Sequence, residues 1–563
     1  VHGLPIIEHA EFGRNVPDEA MPDEDKMNLG KIYHMGKEEA AGLLLNRQAM
    51  ASHTFITGST GTGKSNAVYH LLDEITKNGQ TTFLVVEPAK GEYKNVFGNC
   101  TDAQVFGTNP RETPLLRMNP FAFPENIHIL EHIDRLVEIF NACWPMYAAM
   151  PAVLKDAIER SYQKVGWDLR NSESEKGIFP TFFDLLDILP GVIEESHYSK
   201  DTQSDYVGAL CTRVKSLTNG IYGSVLCAED ALSDAEMFDQ NVIVDLSRVG
   251  SMETKSLLMG ILVMKLQEYR MCSSGMNSRL RHVTVLEEAH NLLRKTSAEQ
   301  SQEGANLQGK SVEMLANAIA EMRTYGEGFI IADQAPGLLD MSVIRNTNTK
   351  IILRLPDEED RKLVGKSAAL KEAQIDELSK LPLGVAAVYQ NEWPEAVLCK
   401  IEAYPMPENA VYHKPSKMPH EINAEFVFGQ LAVGKELKPL SSSEMEQLKL
   451  WLKRHETVLK PEDSRYLERV FAGGELDVAK TRKAVFDFFG GIGTVVDYCA
   501  AAKKSLTPRK EFLEQLQGQY GLKAAAADWV LNSVISMGMS LNPDAKAVDN
   551  LRTNFEQQGG RVL

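Results

Sequence analysis

The stretch HTFITGSTGTGKSNAVYHLLDEI, His53 to Ile75, runs an apolar strand straight into a glycine-rich turn, then Lys-Ser, then a helix. Within it, Gly58-Ser59-Thr60-Gly61-Thr62-Gly63-Lys64-Ser65 fits the phosphate-binding loop G-x-x-x-x-G-K-[ST]. The glycines let backbone N–H groups turn inward as an anion nest at a helix N-terminus. Lys64 brings charge to the β- and γ-phosphates, the Ser65 hydroxyl reaches Mg²⁺, and Asn66 closes the segment. The strand before it and the helix after it are the context the motif demands, so the expected ligand is a nucleoside triphosphate. A chain built around this unit must place that strand inside an α/β sheet.

The flanking pattern agrees. Short β-branched runs recur at TTFLVVEP (81–88), NVIVDLS (241–247), HVTVLEEA (282–289), GFIIADQ (328–334) and TKIILRL (349–355). Each is almost continuously apolar, as strands of a parallel sheet buried on both faces must be. Helical patterns such as Glu253–Met271 and Val312–Tyr325 separate them, which predicts an α/β class with a doubly wound sheet. The sheet domain is expected over 51–107 and 241–405, with a helical insertion over 108–240, where the strand signal stops. Residues 1–50 read as a polar, irregular N-terminal segment apart from the apolar run AAGLLLN (Ala40–Asn46), 406–424 as a linker, and 425–563 as a separate all-α domain. The capping-box spacing of Ser443 and Glu446 marks a helix start there.

The net charge is −17, which argues against a protein that coats duplex DNA but leaves room for a small basic channel inside an oligomer. From residue 441 onward 17 Lys+Arg meet 16 Asp+Glu, so the excess acidity lies upstream. The 7 cysteines are scattered without a CxxC pair, the pattern of reduced thiols in a cytoplasm. No run of 18 apolar residues exists, and the start lacks the basic-then-apolar order of a signal peptide. Val1 stands where an initiator Met is absent, so the expectation is a trimmed N-terminus.

The second half of a triphosphate site is a strand ending in acids. HVTVLEEAH supplies Glu287 for Mg²⁺, directly or through water, and Glu288 to polarise the attacking water. The strand IIADQ ends in Gln334, placed to read the γ-phosphate or orient water. Hydrolysis in such sites usually needs an arginine, in cis or from a neighbour. The candidates are Arg323, Arg345, Arg354 and Arg361, with Arg323 favoured because its helix leads into the Gln334 strand.

Taken in order, HTFITGSTGTGKSN, FLVVEPAKGEY (83–93), LLRMNPF (115–121), VTVLEEAHNLL (283–293), AEMRTYGEGFIIADQAP (320–336) and NTKIILRL (348–355) resemble the HerA-like branch of the HerA/FtsK superfamily of ring-forming motor ATPases. The resemblance covers about residues 53–405. It implies a P-loop NTPase with a RecA-like, mostly parallel sheet, using ATP and Mg²⁺, with Glu288 as catalytic glutamate, Gln334 as polar sensor and Arg323 as a phosphate-contacting arginine. It places Glu87 and Glu92 near the nucleotide. It further implies a homohexamer with a central pore for DNA, working with a nuclease or NAD-consuming effector in anti-phage defence and needing no membrane. A scaffold that organises an effector, or a conjugation or secretion ATPase, are the alternatives. Two features depart from the family pattern. Ser52 stands where many members carry a basic residue, the nearest upstream arginine being Arg47, and the 50 residues before the strand do not read as a β-barrel.

Three weaker signals complete the reading. HILEH, His128 to His132, matches H-x-x-E-H, but helix-surface histidines are the better account than a zinc site. The polar stretch 294–309 reads as a surface loop. Residues 506–540 have a helix–turn–helix rhythm whose expected role is packing, with Lys503, Lys504, Arg509 and Lys510 as its basic cluster.

Overall fold

A computed structural model of the chain describes residues 9–16, 21–100, 102–147, 149–174, 177–228, 231–296, 307–406, 410–414, 424–433, 448, 452, 459–520 and 522–563. Most of the 294–309 stretch, Ser443, Glu446 and most of the linker lie outside these residues. The strands are β1 (Lys26–His34), β2 (Lys37–Asn46), β3 (Thr54–Thr57), β4 (Thr82–Glu87), β5 (Ala103–Gly107), β6 (Trp167–Asp168), β7 (Glu173–Ser174), β8 (Asn241–Asp245), β9 (His282–Glu287), β10 (Glu327–Asp333), β11 (Thr349–Ile352), β12 (Val385–Gln390) and β13 (Val397–Ile401). All but the short β6–β7 pair join one 11-stranded sheet in the order β2-β1-β13-β12-β11-β3-β10-β9-β4-β8-β5. From β11 to β5 every pairing is parallel, and from β11 back to β2 every pairing is antiparallel.

The parallel run explains the apolar strands. β3, β8, β9 and β10 are buried along their whole length because helices cover both faces. One cover is the helix Met252–Ser273, which buries Leu257, Leu258, Ile261, Leu262 and Leu266 and is observed a residue or two longer than expected at each end. The antiparallel extension corrects the reading of residues 1–50 as irregular. β1 and β2 form a hairpin on the sheet edge, with Met27, Leu29, Leu43 and Leu45 buried, while the first half of β2 is largely exposed and hides the alternation. Gly30, at φ 152°, sits at a register break in this pair, where a Cβ would lie 2.1 Å from the Lys400 carbonyl oxygen.

Between β5 and β8 the described elements are helices, among them Ile129–Cys143, Met150–Lys164 and Phe182–Glu195, plus the β6–β7 pair. Capping boxes start two of them, Thr181 with Asp184 and Ser233 with Glu236. The chain divides into two compact units: Val1–Ser161 with Pro180–Lys414, and Tyr162–Phe179 with Pro415–Leu563. The small hairpin thus groups with the C-terminal unit and not with the rest of the 108–240 segment, where the sequence places it. Helices of that second unit pack around Ala524–Leu541, whose Val530, Leu531, Val534 and Ile535 meet Phe428, Phe471, Phe488, Tyr498 and Phe555 in one core. Of the basic cluster, Arg509 pairs with Asp528 and Lys510 with Glu514. Among the described residues no single helix is long and apolar enough to cross a membrane.

HILEH is not a pair of surface histidines. His128 caps the helix, accepting from the Leu130 N–H, while His132 is wholly buried with Nδ1 2.9 Å from Glu268. A partner 136 residues away decides its environment.

Candidate nucleotide site

The C-terminal ends of the parallel strands carry the site. β3 runs through Thr57 into the loop Gly58–Gly63, and the helix Lys64–Thr76 follows. Gly61 at φ 75° and Gly63 at φ 103° hold left-handed conformations that a side chain would strain. At Gly58 a Cβ would sit 2.7 Å from Leu353 Cβ and from Thr62 Oγ1, so only glycine lets the loop lie against the sheet. The loop is tied down on three sides: Thr62 Oγ1 donates to the Ser59 carbonyl (2.7 Å), Ser59 N to the Arg354 carbonyl (3.0 Å), and Gly384 N to the Thr62 carbonyl (3.0 Å). The last contact comes from the turn before β12, which no local motif announces.

β10 lies between β3 and β9, with Asp333 level with Thr57 and Ala332 level with Glu287. That order sets Gln334 between the loop and the acids. Gln334 Nε2 donates to Glu288 Oε1 (2.7 Å), and Thr60 Oγ1 donates to Gln334 Oε1 (2.8 Å). Lys64, 9% exposed, places Nζ 3.1 Å from Glu288 Oε1 and 3.7 Å from Glu287 Oε2. Successive side chains of a strand point to opposite faces. Here both carboxylates meet one ammonium because Glu288 leaves the strand at φ 44°, ψ 51°. A left-handed glutamate is strained by about 1–3 kcal/mol, and such strain collects at functional sites.

Around these groups stands a second tier. Tyr93 donates its phenol proton to Glu287 Oε1 (2.5 Å), and burial raises the Glu287 carboxyl above the ordinary range against the pull of Lys64. Glu87, at the end of β4, accepts from the N–H groups of Glu92 (2.7 Å) and Tyr93 (3.1 Å); burial pushes it up to about 8. Glu92 itself turns outward to within 3.9 Å of Lys90. Asp245, at the end of β8, binds Lys94 (2.5 Å), which also holds Glu112 (3.0 Å). The sequence reading does not include Tyr93, Lys94 or Asp245; the acid at the end of an apolar strand was the available signal for Asp245. On the other flank Asp333 accepts from the backbone N–H of His290 (2.8 Å) and lies 2.9 Å from its Nδ1, a hydrogen bond that raises the histidine above its usual range.

The set fits a metal-bound nucleotide. The anion nest, the Lys64 ammonium and a buried Glu288 Oε2 that accepts no hydrogen bond among the described residues all face one place. Ser65, in the first helical turn, and Glu287 would hold Mg²⁺, which would neutralise phosphate charge when bound. Asn66 departs from its grouping with the loop. Its amide donates to the Glu402 carbonyl (3.0 Å) and accepts from Tyr404 N (2.9 Å), so it faces the chain after β13.

A family model described as "Helicase HerA, central domain" matches residues 27–266. The DNA double-strand break repair helicase HerA of Sulfolobus acidocaldarius is 25% identical over 67% of this chain and 69% of its own length. Over its sheet-bearing region the chain is similar to HerA-like members of the HerA/FtsK superfamily. A probable helicase of Methanocaldococcus jannaschii is 23% identical to this HerA-like chain over 71% of it and 76% of the relative. The structure of VirB4 of Thermoanaerobacter pseudethanolicus superposes with a TM-score of 0.51 at 19% identity, covering 68% of this chain and 98% of that one, and so shares the P-loop fold.

For a HerA-like site the arginines need correction. Arg323 precedes β10, and Gln334 follows it, so about 20 Å of strand separates them. The expectation that Arg323 points toward the nucleotide end of its own subunit fails because a parallel strand carries its leading helix at the opposite edge. Arg345 sits before β11 at that same far edge, and both are exposed. Arg361 bonds the carbonyls of Leu355 and Pro356. Arg354, exposed just after β11 with its carbonyl on Ser59, is the candidate beside the loop. Arg47, the upstream substitute for the missing basic residue at Ser52, is buried and donates to the carbonyls of Glu74 and Ile75, a structural pin for the end of the loop helix.

Proposed function

We propose that this HerA-like chain hydrolyses ATP as a homohexameric ring motor that drives DNA through a central pore and serves a partner effector, a nuclease or NADase, in anti-phage defence. The observation that carries the motor reading is the joined set Thr60–Gln334–Glu288–Lys64, which links the phosphate loop to the base that would orient water. Lys64 meets the γ-phosphate side, Glu288 takes the water proton, and Gln334 senses whether the γ-phosphate is present. The ring rests on the exposed Arg323 and Arg345 at the far sheet edge, which can reach a phosphate only in a neighbouring copy. The DNA substrate is supported by the helicase relatives, and the effector and defence setting by the family resemblance.

The test is phosphate release over a range of protein concentrations, with and without duplex DNA. Specific activity should rise with concentration and again with DNA. Turnover that ignores DNA would replace translocation with an ATP-switched scaffold for the effector. A mixing experiment addresses the ring directly. Lys64→Ala and Arg323→Ala should each lower turnover by about 10³-fold, the scale of an arginine supplied in trans. Mixed copies should recover part of the activity, because some sites pair an intact Lys64 with a neighbour's Arg323. No recovery at any ratio would sink the trans assignment.

A further inference from the structure

We propose that the strap Ala403–Met406, which follows β13, is the wall against which the base of the bound nucleotide rests, and that Asn66 is the positioning residue that holds it there. The proposal rests on the nucleotide reading above and names a subsite within it.

Asn66 is two residues past Lys64, so along the helix axis it lies about 3 Å beyond the phosphate-binding turn. Its side chain holds the strap at Tyr404, whose N–H donates to Oδ1 (2.9 Å), and holds the residue just before it, Nδ2 donating to the Glu402 carbonyl (3.0 Å). Two complementary bonds from one amide fix the height and the direction of an extended segment. The residues that flank the strap are held too. Glu402 N donates to the Leu29 carbonyl (3.1 Å), and its carboxylate accepts from Asn28 Nδ2 (3.3 Å). Further on, Asn95 accepts from Tyr412 N (2.9 Å), while Asn99 donates to the Val411 carbonyl (2.9 Å) and accepts from His413 N (3.1 Å).

Tyr404 is the strap residue turned inward. Its ring packs on Phe97 at 5.6 Å and on Tyr69 at 6.1 Å between centroids. The strap is therefore tied to the residue that follows the one expected on the metal. What it leaves outward is apolar: Ala403, Pro405 and Met406 are exposed, Met406 by 51%. An apolar surface beside a phosphate nest, fixed by a few placed polar groups, is the composition of a site for a planar base. The triphosphate chemistry at Lys64 does not need it, so the wall should add affinity for the nucleoside half alone.

The experiment compares ATP with inorganic tripolyphosphate, which has the phosphates and no base. In wild type both should bind, tripolyphosphate the more weakly, and Lys64→Ala should abolish both. Asn66→Ala should lower the preference for ATP over tripolyphosphate by about tenfold, raising KM for ATP with kcat unchanged. Met406→Ser, an exposed change without folding consequences, should lower it about threefold by removing apolar contact. Tripolyphosphate affinity should stay the same in both variants, and that constancy shows the loop intact. An unchanged ATP preference in both variants overturns the strap. Failure of wild type to bind either ligand overturns the nucleotide reading and the strap with it.

Discussion

Glu288→Gln should lower ATP turnover by about 10³-fold, within the range that a lost general base removes, while a non-hydrolysable ATP analogue binds with affinity changed by only a few-fold. The substitution keeps the shape of the side chain, and Oε1 can still accept from Gln334, now 2.7 Å away. It removes the negative charge that lies 3.1 Å from Lys64, leaving the ammonium freer for phosphate, so binding should not weaken. It also replaces Oε2, the carboxylate oxygen that accepts no hydrogen bond among the described residues and lies 3.6 Å from His290 Nδ1, and so removes the group proposed to take a proton from water. Phosphate release and equilibrium binding, measured side by side, check both halves. Turnover above about a tenth of wild type would assign the base elsewhere, since general-base losses are at least 10²-fold. Glu287→Gln should differ in kind. It raises the Mg²⁺ concentration needed for half-maximal turnover, because Glu287 is the residue expected to hold the metal and its Oε1 is already shared with Tyr93.

How much of this was legible depended on whether the governing partners are near in sequence. Gly58–Ser65 is readable because its partners are its own backbone and the next helical turn, and Glu287–Glu288 because an apolar strand ending in two acids is a local pattern. Gln334 is readable for the same reason, although its place between Thr60 and Glu288 needs the strand order. The β1–β2 hairpin was missed because β2 buries only Leu43 and Leu45 beyond a largely exposed first half, too little alternation to register. Arg323 was misdirected because helix position alone does not say at which edge of a parallel sheet a residue emerges. His132 and Asn66 were misplaced by long-range partners, Glu268 for the first and Glu402 with Tyr404 for the second, which no spacing encodes. The strand ends proposed to hold the nucleotide could be found from sequence, but the elements that tie them together could not.

Arg270→Met should destabilise the sheet-bearing unit by about 3–5 kcal/mol, the cost of leaving a buried carboxylate without its cation, and lower its thermal transition by about 10 °C. Arg270, Glu327 and His282 are all 0% exposed. Arg270 Nε donates to Glu327 Oε2 (2.9 Å), His282 Nδ1 lies 2.8 Å from Oε1, and Thr284 Oγ1 donates to the same carboxylate (2.8 Å). Glu327 and His282 open β10 and β9 in register, so the cluster pins the edge of the sheet opposite the nucleotide, the edge from which Arg323 emerges. Burial alone would raise the Glu327 carboxyl, but His282 and Arg270 more than reverse it and hold it at about 2, below its ordinary 4.5. A depressed carboxyl stabilises fully above 4.5, and that stability is lost as pH falls toward 2. Burial also lowers His282 below its ordinary 6.5, so the unfolded chain binds that proton first and stability declines as pH drops through 6.5. Both signs predict an acid-sensitive edge. The decisive comparison is the double variant Arg270→Met with Glu327→Gln, which removes the stranded charge together with its cation. It should be more stable than Arg270→Met alone, and its thermal transition should depend less on pH between about 4 and 2, where the native carboxyl titrates. A double variant that loses the sum of the two single losses would mean that the pair contributes packing and not compensated charge. Because Arg323 shares that edge, Arg270→Met should also lower turnover at a neighbour's site in the mixing experiment while leaving its own Lys64 and Glu288 in place.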